Sequence, residues 1–219
     1  MRTYAIGDVH GMVYLLRRLI GRCLQDGRGH ALRFVLLGDY VDRGPNTKES
    51  VQQIFQLQQA RPAKFICLRG NHEALLLAAC QGEAAERHWL MNGGTATLRS
   101  YGAQRSMDLP ADHLEWLKAL PTSHDDGLRL FVHAGIDPNR PIDQQVDHDL
   151  LWIRDRFLED ERNHGRFIVH GHTPLSDGFP DLRTNRVNLD TGAGYGGPLT
   201  AAVFDDVDAR PIRFIQAVP

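Results

Sequence analysis

The sequence predicts an α/β (α+β) fold of two packed mixed β-sheets flanked by helices, and three observations predict it. Short apolar runs at Thr3–Ile6, Phe34–Leu37 and Lys64–Leu68 each stop abruptly in glycine and polar side chains, the pattern of strands buried on both faces of a parallel sheet. After residue 120 the rhythm changes to short strands joined by tight turns, which favours antiparallel pairing. A hydrophobic share of 42% in 219 residues is enough for a substantial core, so residues 1–219 are expected to form a single domain.

Each element follows from its own pattern. Val13, Leu15, Leu16, Leu19, Ile20 and Leu24 recur at helical spacing until Asp26-Gly27 and Gly29 end the helix. Strand Leu32–Leu37 comes next, then a helix capped by Asn46 that turns Val51, Ile54, Phe55 and Leu57 inward and stops at Arg61-Pro62. Strand Lys64–Leu68 opens a third unit, followed by helical segments from Glu73 to Tyr101 that Asn92-Gly93-Gly94 interrupts. A helix over Asp112–Leu120 ends at Pro121, and Asp125-Asp126-Gly127 reads as the turn before strand Leu128–His133. One helix is expected over Asp147–Asp160, then strands at Arg166–His170, Arg186–Leu189, Thr200–Phe204 and Ile212–Ile215.

Composition narrows the function. A net charge of −2 offers no general attraction to nucleic acid or anionic membrane, so any phosphate affinity must be local. The first strand opens within three residues of the N-terminus and no apolar run approaches the roughly 18 residues of a membrane span, so neither leader nor membrane anchor is expected. Cys23, Cys67 and Cys80 are widely spaced among apolar neighbours and read as core thiols in a reducing compartment, with the cytoplasm as the expected location.

The chemistry lies in the loops after the strands. Asp8 and His10 follow the first, Asp39 the second, and Asn71 and His72 the third; His133 and either His170 or His172 end two later ones. No cysteine lies in these loops, so a thiolate-preferring ion is disfavoured. The donor count exceeds the needs of one ion and suits two divalent ions about 3.5–4 Å apart with a shared carboxylate. Asp39, on the middle of the first three strands in sequence, is the natural bridge. Such ions acidify a bound water, and with Arg43 beside them they leave about three positive charges, a fit to a phosphate monoester dianion. His72 is suited to protonate a leaving alkoxide, and Asp42, in the Asp39 loop, to orient it.

Gly-Asp-Val-His-Gly at 7–11, Gly-Asp-Tyr-Val-Asp-Arg-Gly at 38–44 and Gly-Asn-His-Glu at 70–73 resemble the signature motifs of the phosphoprotein phosphatase family of metallophosphoesterases, in its compact bacterial and phage form. Val132-His-Ala-Gly135, Val169-His-Gly-His-Thr-Pro174 and Leu150-Leu-Trp-Ile-Arg154 resemble its later segments. The resemblance implies a metallophosphoesterase-like sandwich. It places Asp8 and His10 on one metal, Asn71, His133 and His172 on the other, and Asp39 on both. It also implies His72 as the acid, Asp42 as its partner and Arg43 with Arg154, beside Asn71, as phosphate ligands. His172 is favoured over His170, which is left a packing or supporting role.

The implied cofactors are two divalent ions, manganese first, with iron and zinc as alternatives. The implied reaction is direct attack of metal-bound hydroxide on a phosphate monoester. Phosphoserine and phosphothreonine in proteins are the first expected substrates, with phosphotyrosine as a further one. Dinucleoside polyphosphates of the diadenosine tetraphosphate type, or other nucleotides, are the alternative; a phosphate-binding module without turnover is the third reading. Other phosphatase chemistries fit worse, because no arginine stands six residues after any cysteine and Asp206-Val-Asp208 has no supporting groups.

Overall fold

The computed structural model describes residues 1–219. Strands β1 (Arg2–Ile6), β2 (Leu32–Leu36) and β3 (Phe65–Cys67) are joined by helices α1 (Val13–Asp26) and α2 (Thr47–Ala60). A helical crossover returns the chain to the same edge, so the three strands run parallel, with Tyr4 beside Phe34 and Phe34 beside Phe65. Helices α3 (Asn71–Ala79), α4 (Glu83–Trp89), α5 (Thr95–Tyr101) and α6 (Ala111–Ala119) follow. Next come β4 (Ser123–Asp125), β5 (Arg129–Val132), α7 (Asp147–Trp152), α8 (Asp155–Leu158) and β6 (Phe167–His170). The chain closes with β7 (Asp181–Leu182), β8 (Arg186–Asn188), β9 (Leu199–Phe204) and β10 (Arg213–Ala217).

The strands form two sheets, ordered β10-β9-β1-β2-β3 and β4-β5-β6-β8-β7. Each has three parallel strands, β1-β2-β3 at one side of the first and β5-β6-β8 in the middle of the second, with antiparallel strands making up the rest. The period-2 alternation of side chains divides the core. Ala5, Val35, Leu37 and Leu68 point between the sheets to meet Phe131, Val169, Val187 and Leu189. Their neighbours Tyr4, Ile6, Phe34 and Leu36 face the opposite way, onto Leu16 and Leu19 of α1 and Val51 and Ile54 of α2. Leu130, Val132 and Ile168 cover the second sheet's outer face together with Leu150, Ile153 and Phe157. A strand buried on both sides must be apolar at consecutive positions, which is why the continuous runs were legible.

Several expectations need correction. The helix expected over residues 147–160 is two, because Ile153 adopts extended backbone (ψ 143°) and Arg154 follows at φ −133°, ψ −114°. Asn46 precedes α2 but makes no side-chain capping bond. Cys23 and Cys67 are core thiols, whereas Cys80 is only half-buried. His113 is buried: Tyr101 donates its hydroxyl to Nδ1 at 2.8 Å and Gln52 Oε1 lies 3.0 Å from Nε2.

Candidate active site

Both sets of parallel strands deliver polar loops to the same end of the sandwich. β1 leads into Asp8 and His10, β2 into Asp39, Asp42 and Arg43, and β3 into Asn71 and His72. From the second sheet, β5 leads into His133 and β6 into His172. All of these except Arg43 are buried. Five non-glycine residues have positive φ, and all five belong to this set: His10 (42°), Asp39 (53°), Asp42 (70°), Arg43 (66°) and His172 (67°). Each such residue stores about 1–3 kcal/mol of backbone strain, sustained only where the surroundings fix the loop.

Much of that fixing comes from Glu73. Its carboxylate accepts the backbone N–H groups of Asp39 and Gly70, both at 2.8 Å, Tyr40 at 2.7 Å and Val41 at 3.2 Å. Burial and the neighbouring Asp39 push its carboxyl up to about 7, against the pull of these donors. The loops also pass close to one another. A Cβ on Gly70 would lie 2.2 Å from Asp39 Oδ1, and one on Gly44 would lie 2.0 Å from the His10 carbonyl oxygen.

The imidazoles converge on Asp39. His10 donates Nδ1–H to the Val41 carbonyl at 2.8 Å, and His133 donates Nδ1–H to the Leu37 carbonyl at 3.0 Å. Each therefore turns Nε2 toward Asp39, His10 to Oδ2 at 3.3 Å and His133 to Oδ1 at 3.4 Å. The two oxygens of one carboxylate thus face different imidazoles, the arrangement a bridging ligand needs. Burial opposes the charge on Asp39, yet His133, His72 and His10 hold its carboxyl well below the usual range.

Asn71 Oδ1 lies 2.8 Å from His133 Nε2 and 2.9 Å from His172 Nδ1, while His172 Nε2 is buried without a partner. His133 spends its Nδ1–H on the Leu37 carbonyl, so Nε2 meets the Asn71 oxygen as acceptor against acceptor, a contact a divalent ion would satisfy. Burial first and His133 second push His172 down to about 2, keeping its ring neutral and able to donate a lone pair. Asp8 accepts the His172 N–H at 3.1 Å, which ties the first sheet's edge to the second's. Donor atoms of Asp8, Asp39 and His133, and separately of His10, Asp39 and His72, cluster within 4.8 Å. Oxygens and imidazoles sharing one carboxylate suit divalent ions of intermediate hardness, but the two clusters pair Asp8 with His133 and His10 with His72, not Asp8 with His10 as the expected sets do.

His72 is held differently. Its Nδ1 lies 2.7 Å from Asp42 Oδ2, and its Nε2 faces Asp39 at 3.9 Å. Asp42 is in turn gripped by Trp89, whose Nε1–H reaches both carboxylate oxygens at 3.0 Å, and by Thr97 Oγ1 at 2.7 Å. Trp89 and Thr97 flank the Asn92-Gly93-Gly94 break, where Gly93 has φ 107° and its carbonyl accepts the Arg43 N–H at 3.3 Å. The break is therefore part of the site's framework.

Arg43 is half-buried, lies 4.8 Å from the centre of the exposed Tyr195 ring and touches His10 Nε2. Arg154 sits at the junction of α7 and α8, with Nη2 3.4 Å from the His172 carbonyl and Nη1 3.5 Å from Thr173 Oγ1. The helix break thus places it beside the His172 loop. His170 packs its ring edge against Phe157, 5.1 Å between centroids, and burial with Arg186 pushes it down to about 3.

Sequence reasoning assigned no role to Glu73, Trp89, Thr97, Asp190 or Tyr195. Asp190 carried a usable signal: Val187-Asn-Leu-Asp-Thr-Gly192 is again a strand that ends in a carboxylate and a glycine.

A family profile described as calcineurin-like phosphoesterase matches residues 1–203. The chain is 29% identical over 208 residues to serine/threonine-protein phosphatase 1 of Salmonella typhimurium, covering 91% of this chain and 90% of that protein. It is 38% identical over 140 residues to the symmetrical bis(5'-nucleosyl)-tetraphosphatase of Dechloromonas aromatica, covering 63% of this chain but only 45% of that protein. The crystal structure of a protein assigned provisionally as a diadenosine tetraphosphatase shares the fold, with a TM-score of 0.71, 22% identity and coverage of 98% of this chain and 92% of its own. Profile, sandwich and strand-end ligand loops agree: the chain belongs to the calcineurin-like phosphoesterases, metal-dependent hydrolases, and within them to the phosphoprotein phosphatase type.

Proposed function

We propose that this protein hydrolyses phosphate monoesters by direct attack of water on phosphorus, with phosphoserine and phosphothreonine side chains as its first substrates. The observation that carries the reading is the buried Asp42–His72 pair, with Nε2 turned toward Asp39. A site that only bound phosphate would need no oriented acid. Asp8 and His10 would hold one divalent ion and Asn71, His133 and His172 the other, with Asp39 shared and manganese as the first choice. When bound, the ions supply an acidified water and positive charge. Arg43 and Arg154 bind the phosphoryl oxygens from two sides, and Asn71 adds its amide. His72 gives its Nε2 proton to the departing oxygen while Asp42 steadies the imidazolium that exists before transfer. Similarity to the Salmonella enzyme along nearly the whole chain supports the protein-phosphatase reading.

A second reading, dinucleoside polyphosphates, is favoured by one feature. A cleft of about 520 Å³ runs between residues 174–178 and 191–198, bounded by Pro174, Leu175, Pro198 and the Tyr195 ring that overlies Arg43. An aromatic face beside a phosphate-binding arginine suits a nucleobase attached to that phosphate.

Initial rates on a phosphoserine peptide and on diadenosine tetraphosphate, with manganese and after chelation, separate the readings. The His72→Asn variant is expected to lose about 10²–10⁴-fold in kcat on the peptide and much less on p-nitrophenyl phosphate, whose leaving group needs little protonation. Unchanged turnover of the peptide removes His72 as the acid.

A further inference from the structure

We propose that Asp190 is a third carboxylate of the cation site formed by Asp8 and His10. The inference rests on the dinuclear reading above and adds a ligand-shell residue to it. Asp190 follows β8, which lies parallel to β6, so it emerges at the sheet edge that carries His172. Its backbone is fully used: the N–H donates to Asn188 Oδ1 at 3.0 Å and the carbonyl accepts from Leu175 at 2.9 Å. Of its side-chain oxygens, Oδ1 accepts the Gly192 N–H at 3.2 Å, while Oδ2 is buried with no partner. The residue is only 2% exposed, so bulk water does not serve that oxygen.

Asp190 looks onto Asp8. Gly171 stands between them, and a Cβ there would lie 2.1 Å from Asp8 Oδ1 and 3.7 Å from Asp190 Cβ. The glycine thus lets two acidic side chains approach in a buried space. Asp190 makes no direct ion pair with a lysine or arginine. Two buried carboxylates, one with an unused oxygen, want a cation; the His10 imidazole spends Nδ1 on Val41 and turns Nε2 toward Asp39 and Arg43.

The test is manganese titration by calorimetry of wild type and of Asp190→Asn, with melting of the metal-free forms alongside. The variant is expected to bind one ion about 10–100-fold more weakly and the other unchanged. Asp8→Asn should weaken the same ion. Metal-free Asp190→Asn should melt at or above wild type, because it loses the repulsion with Asp8. Unchanged affinity for both ions, or a metal-free variant destabilised as much as the loaded one, overturns the inference and leaves the dinuclear reading standing. Wild type that takes up no ion overturns that reading and the inference together. Asp190→Ser repeats the comparison if the asparagine variant does not fold.

Discussion

At the scale of single residues, the site is a set of strained backbones held by a few buried acceptors, and Glu73 holds the most. Its two oxygens each accept two backbone N–H groups, Oε1 from Tyr40 and Val41 and Oε2 from Asp39 and Gly70. Glu73→Gln replaces one of those oxygens with an NH2 group, so two N–H donors face a third donor. We expect a loss of about 2–4 kcal/mol in the metal-free protein, from unsatisfied buried donors. Urea unfolding measures it, and a change below about 1 kcal/mol would show that the loop is held elsewhere. The residues proposed as metal ligands and acid were legible from sequence because each motif is local, with partners set by strand and turn. The role of Glu73 was hidden because Asp39, Tyr40 and Val41 lie more than 30 positions away and contribute only backbone. Asp190 ends a strand as the other site residues do, but one aspartate after a short strand is common, and its burial is what sets it apart.

At the scale of elements, strands with both faces buried announce themselves, while helix interruptions do not. The break at Ile153 and Arg154 carries no glycine or proline, so periodicity across Leu150, Leu151, Ile153 and Phe157 reads straight through it. The turn at Asn92-Gly93-Gly94 was visible, but its purpose was not, because Trp89 and Thr97 meet Asp42 only in three dimensions. Gly94 has ordinary helical backbone (φ −58°), so replacing it with alanine should gain about 0.5–1 kcal/mol of helix propensity. A Cβ there, however, would lie 2.4 Å from Trp89 Cε2 and 2.5 Å from Cδ2, and Trp89 is fully buried. Overpacking costs about 1–3 kcal/mol, so the clash wins and the indole moves off Asp42. Gly94→Ala should lower the melting temperature and reduce kcat more on a phosphoserine peptide than on p-nitrophenyl phosphate. Equal loss on both substrates would mean that the turn supports the fold and not the acid.

At the scale of the whole molecule, the sandwich brings two independent sheet edges to one site. Asp39 from the first sheet faces His133 from the second, Asn71 meets His133 and His172, and Asp8 accepts the His172 N–H. Shared divalent ions would then tie the sheets together across the Ala5, Val35, Phe131 and Val169 interface. Binding to the folded state alone stabilises by about 2.7 kcal/mol at a free ion concentration of 100 times Kd. For a chain of 219 residues each kcal/mol moves the midpoint by about 2–4 °C, so saturating manganese should raise it by roughly 5–10 °C over the chelated protein. Differential scanning calorimetry across a manganese series tests this: the midpoint should keep climbing with the logarithm of ion concentration after the sites are full. A midpoint independent of manganese would mean that the ions do not join the sheets, and that the interface between them alone sets the stability of the edge on which the site is built.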